Sequence, residues 1–79
     1  MPEQKSYPGV GTVVDRVYLG NEVMVVAFRD HVGGWAAYIG ARQDTDEKTE
    51  AHIAKEGHKL YTDEAFVFFP NLPKKEYRR

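Results

Sequence analysis

The stretch Gly33-Gly34-Trp35-Ala36-Ala37-Tyr38-Ile39-Gly40 limits this chain most. It holds the single tryptophan, has glycines at both ends, and sets small residues between large ones. That pattern predicts an inner strand whose alanines let a second element pack close. Side chains alternate along a strand, so Trp35, Ala37 and Ile39 share one face and Ala36 and Tyr38 the other. Trp35 and Tyr38 therefore look in opposite directions. One face is expected to pack a helix and the other a second subunit.

The preceding run, Glu22 to Arg29, is apolar on both faces. Val23, Val25 and Ala27 lie on one side and Met24, Val26 and Phe28 on the other, the pattern of a central strand covered twice. Before it, Val10 to Leu19 has strand composition with faulty alternation, which a bulge near Asp15-Arg16 or a strand covered on both faces would explain. Gly20-Asn21 predicts a two-residue hairpin loop, and Asp30 to Gly34 a second turn. After a polar connection, Asp44 or Thr45 can cap a helix running to about Glu56. Asp44 and Glu47 have capping-box spacing, and Gly57 is expected as a left-handed C-cap. Ala51, Ile53 and Ala54 give that helix a thin apolar stripe. Residues 62–69 read either as a short helix started at Thr62-Asp63-Glu64 and stopped before Pro70, or as a buried strand of aromatics; the capping chemistry favours helix. The expected fold is α+β: a three-stranded antiparallel meander, one packed helix, and a short C-terminal aromatic helix or strand. Residues 1–8 are expected to be a flexible lead-in, 9–73 a single domain, and 74–79 a basic tail.

A chain of 79 residues buries a core that only marginally offsets its conformational entropy. There is no cysteine, so disulfides and thiolate metal sites are excluded and good packing or self-association must stabilise the fold. The net charge of −1 counts against a general nucleic-acid or membrane-surface binder, though a local basic patch is compatible with it. No apolar run approaches bilayer length, and Met1 to Ser6 lacks a signal-peptide core; a cytoplasmic protein is the expectation.

No motif specifies a chemistry. His31, His52 and His58 are too dispersed to converge on zinc, so no metal or cofactor is expected. Gly9-Val10-Gly11 lacks the third glycine of a dinucleotide loop and leads into a strand. Asp44, Asp46, Glu47 and Glu50 read as solvated capping residues or as an acidic patch for a basic partner. Ser6 is the only serine, and no nucleophilic constellation is present, so an enzyme is not expected. The leading expectation is a small non-enzymatic binding or regulatory protein that acts through protein contacts, as a homo-oligomer. An alternative is a nucleic-acid accessory module using Lys74, Lys75, Tyr77, Arg78 and Arg79. Another is a small-ligand module with an intersubunit pocket, for which Trp35, Tyr38, His31 and Phe28 are the candidate lining.

Overall fold

The two-sided apolar pattern at residues 22–29 is satisfied by three layers. The computed structural model describes residues 5–79, with strands β1 (Ser6–Tyr7), β2 (Gly11–Tyr18), β3 (Val23–Arg29) and β4 (Trp35–Ala41). Helix α1 (Asp46–Glu56), strand β5 (His58–Lys59), helix α2 (Thr62–Phe68) and a 3₁₀ turn at Lys74–Glu76 follow. The strands form one sheet in the order β1-β2-β3-β4-β5, with antiparallel neighbours throughout.

The sheet thus has five strands where the sequence suggested three. Both additions are two residues long and sit at the edges: Ser6 and Tyr7 pair with Thr12 and Gly11, and Lys59 and His58 pair with Tyr38 and Ile39. A two-residue strand carries no alternation, so no pattern announces it. Of the expected lead-in, residues 1–4 lie outside the described residues, while Ser6 and Tyr7 belong to the sheet.

Met24 to Phe28 are buried without exception. Val25 and Ala27 join Trp35 and Ala37 against Ala65, Phe69 and Tyr77, from α2 and the C-terminal segment. Met24, Val26 and Phe28 join Val10 and Val13 against Ile53 of α1. The face expected to receive a second subunit is therefore covered by the chain itself. The bulge in β2 falls between Val13 and Asp15, one residue earlier than expected, and leaves Val14 as the extra residue. The β2–β3 loop is closed by Leu19 N–H donating to the Val23 carbonyl at 2.9 Å, so it holds three residues rather than two.

Helix α1 is capped by Thr45, whose hydroxyl accepts from Lys48 N–H at 3.1 Å; the Asp44–Glu47 box is not used. Its buried side consists of Ile53, Thr49 and Glu50, whereas Ala51 is exposed. Thr49 can be buried because its hydroxyl donates to the Thr45 carbonyl and accepts from Gln43 N–H, each at 2.8 Å. Gly57 is extended (φ −70°), not left-handed. What it supplies is space, since a Cβ there would lie 2.6 Å from the Ile53 carbonyl oxygen. Gly40 does the same under the helix: its Cβ would meet Ile53 Cγ1 at 2.8 Å.

Helix α2 forms over the segment where capping favoured it, with Glu64 accepting from Tyr61 N–H at 3.2 Å. Ala65 and Phe69 turn inward and Val67 outward. Trp35 meets Phe69 and Tyr77 edge-on at 6.0 and 4.8 Å, and its indole N–H donates to the Pro73 carbonyl at 2.7 Å. Adding a methyl at Gly40 pushes α1 off this sheet. Gly40→Ala is expected to destabilise the fold by about 1–3 kcal/mol, the cost of overpacking, with little change in denaturant m-value in urea unfolding.

Candidate functional site

The aromatic candidates from the sequence do not meet at a surface. Trp35 and Phe28 are each 1% exposed and belong to opposite clusters, so neither can line a pocket. Tyr38 is half-buried and edge-on to Phe28 at 5.8 Å, on the sheet face away from Trp35. His31 is exposed on the β3–β4 turn, beside a groove of about 660 Å³ between that turn and residues 9–12. The turn is held by Asp30, whose carboxylate accepts from Val32 and Gly34 N–H, each at 3.0 Å. Gly11 closes the groove floor with φ +102°, and its Cβ would sit 2.1 Å from the Arg29 carbonyl oxygen. Gly11 is thus a backbone-to-backbone packing point, and the segment leads into β2 rather than into a helix.

The acidic cluster also divides. Glu50 was expected to be solvated, but its side chain is 4% exposed. It accepts from Arg16 Nε at 2.8 Å, from a second nitrogen of the same guanidinium, and from the Tyr7 hydroxyl at 3.0 Å. Burial pushes the Tyr7 phenol up to about 12, with the Glu50 hydrogen bond and charge adding to it. Tyr18 moves the same way because it donates to Asp46, and Tyr77 because it is buried. The Glu50 network ties β1 and β2 to α1, and each of its charges is already matched. Among the described residues no group of three or more His, Cys, Asp or Glu gathers around a point that could hold a metal.

The C-terminal basic residues separate into two sets. Tyr77 is 9% exposed, and its hydroxyl donates to the Leu60 carbonyl, so it has no free face for a base to stack on. Lys74 sits over the Phe66 ring at 5.3 Å, and Lys75 is exposed on the same 3₁₀ turn. Arg78 and Arg79 continue past Tyr77. Arg78 N–H donates to the Trp35 carbonyl at 2.7 Å, and its guanidinium lies 3.5 Å from Asp30.

These two arginines join residues that the sequence reading passed over. Arg78, Arg79 and Lys59 border a groove of about 650 Å³, with Leu60, Tyr61 and Thr62 completing its wall and Tyr77 contributing to it. No acidic side chain is among these lining residues. Lys59 lies over the Tyr77 ring at 5.6 Å. Burial lowers the Lys59 ammonium, and the Arg78 charge lowers it further. Tyr61 is 82% exposed at the groove. An arrangement of this kind can hold an anion by charge and hydrogen bonding, with an aromatic face beside it. Lys59 was missed because β5 has no sequence signature, and Tyr61 because a single tyrosine before a helix carries no pattern.

The Glu50 network generates two expectations. Arg16 can reach water, its side chain being 37% exposed, whereas Glu50 cannot. Arg16→Met, which strands a buried carboxylate, should therefore cost more stability than Glu50→Met, by about 1–2 kcal/mol once solvent screening is allowed for; urea unfolding measures both. The Tyr7 phenol ionises near 10 when unfolded and near 12 when folded. Its contribution is therefore complete below pH 10 and is lost as pH rises to 12. Tyr7→Phe should flatten that alkaline loss relative to the parent chain in stability measurements across the same range.

Comparison with protein-family models, with curated proteins and with solved structures finds no match for this chain.

Proposed function

We propose that this protein is a non-enzymatic binding module that engages an anionic polymer through the groove bordered by Lys59, Arg78 and Arg79. The observation that carries this reading is the gathering of three cations from two distant segments around one groove with no acidic side chain in its lining. Asp30 compensates Arg78 in part, at 3.5 Å, but Lys59 has no carboxylate partner among the described residues, and burial together with the Arg78 charge lowers its ammonium; an anion in the groove would relieve that repulsion.

Contact through an apolar surface has less support. Among the described residues, the large exposed hydrophobics are spread over separate elements: Tyr18 and Leu19 at the end of β2, Val32 in the β3–β4 turn, Tyr61 just before α2, and Val67 on α2. Spread in this way they form no contiguous apolar patch of the size that marks a protein interface. The sheet face that favoured self-association is packed by Ala65, Phe69 and Tyr77. No helix among the described residues is long and apolar enough to cross a membrane.

Calorimetric titration with inorganic polyphosphate tests the proposal. Binding is expected at low salt and is expected to weaken steeply as salt rises. Lys59→Glu should reduce affinity tenfold or more. Lys48→Glu, an identical charge change on α1 beside Asp44, should alter it by less than about twofold. No binding at low salt, or equal losses from both variants, would overturn the reading.

A further inference from the structure

We infer that the polymer is a single-stranded nucleic acid, with Lys59, Arg78 and Arg79 along its phosphates and Tyr61 as the platform on which one base stacks. This inference rests on the polyanion reading and adds the identity of the polymer. A polyanion recognised by charge alone needs cations and nothing else. Here the cations stand beside Tyr61, which is 82% exposed and is the most exposed large hydrophobic residue described.

The tyrosine's main chain is fixed on both sides. Leu60 N–H, one residue before it, donates to the Ala37 carbonyl at 2.8 Å. Tyr61 N–H donates to Glu64 at 3.2 Å, and the Tyr61 carbonyl accepts from Ala65 N–H at 2.9 Å. The ring therefore projects from an ordered backbone, and stacking on it orders only a side chain with few rotatable bonds. An aromatic ring next to a positive groove is the combination by which single strands are held without regard to sequence, because every base offers a flat π face. A base paired in a duplex has both faces covered by its neighbours and cannot use Tyr61. Thr62 brings a hydroxyl into the same wall, a neutral group able to donate to a phosphate or sugar oxygen.

The sequence-based candidate for stacking, Tyr77, occupies the core instead. Its burial carries Arg78 and Arg79 to Lys59, so the buried tyrosine positions the cations and the exposed one offers the ring. No acidic side chain lines the groove to repel a phosphate. Asp30, outside the lining, holds the β3–β4 turn through Oδ1 and pairs with Arg78 through Oδ2 at 3.5 Å, so Lys59 and Arg79 are the groove cations left without a carboxylate partner among the described residues.

The test is fluorescence anisotropy with a labelled oligothymidylate, an oligouridylate, a duplex of equal length, and unlabelled polyphosphate as competitor. Both single strands should bind more tightly than the duplex. The slope of log affinity against log salt should be about −2, given roughly −0.7 per neutralised phosphate in single strands and three cations in the groove. Tyr61→Ala should weaken single-strand binding about 5- to 100-fold, with no change in melting temperature and no change in polyphosphate affinity. Lys59→Ala should make the salt slope shallower by about 0.7. If duplex and polyphosphate bind as tightly as single strands, and Tyr61→Ala changes nothing, the nucleic-acid inference falls while the polyanion reading stands. If none of these polymers binds at low salt, both fall.

Discussion

Everything in this fold follows from β3 being apolar on both faces. A strand of that kind must be covered above and below, and a chain of 79 residues has little material with which to do it. One cover is the 11-residue helix α1. The other is assembled from the 7-residue helix α2 and the segment through Tyr77. Because both covers are thin, close approach must do what bulk does in larger domains. Gly40 and Gly57 let Ile53 sit directly on β4, and Ala27 and Ala37 leave room for Trp35 and its aromatic neighbours.

Helix α1 also shows how a weakly amphipathic segment is retained. Its apolar stripe is poor, so two of its three buried positions are polar and each is satisfied in full. Thr49 bonds to the helix start and to the incoming strand connection, and Glu50 receives Arg16 and Tyr7. A buried ion pair of this kind contributes less to net stability than to geometry, because desolvation offsets most of the attraction. Its directionality tethers α1, which packs on β3 and β4, to β1 and β2, a constraint that the small Ile53 contact alone would leave loosely defined.

The core and the proposed site share one segment. Trp35 bonds to the Pro73 carbonyl, packs against Tyr77, and accepts from Arg78 N–H, which fixes the course of the chain from residue 73 to 78. The basic residues thus leave the core at a defined point, beside Lys59 on β5. The small net charge conceals this arrangement. The acidic residues around the start of α1 are paired, Asp44 with Lys48 and Glu47 with Lys5, while the Lys59 groove has no acidic side chain in its lining. Composition averages over both regions, but the electrostatic field is local.

The sequence by itself determined the three strands of the meander, the first helix, the doubly covered β3 and the opposite facing of Trp35 and Tyr38; for residues 62–69 it favoured a helix but left a strand open. Each of these is written in short-range alternation, in capping residues such as Thr45, or in turn glycines, and short-range chemistry acts before any tertiary contact forms. Tertiary structure alone decided the two edge strands, the burial of Glu50, the extended conformation of Gly57, and the placement of Tyr77 inside with Tyr61 outside. None of these has a local cause. Glu50 is buried because Arg16 lies 34 positions away in the chain and yet within bonding distance. Tyr77 is buried because Trp35 and Leu60 leave a gap that its ring fills and its hydroxyl can bond across. Such outcomes depend on which distant groups the packed layers bring together, and periodicity carries no information about that.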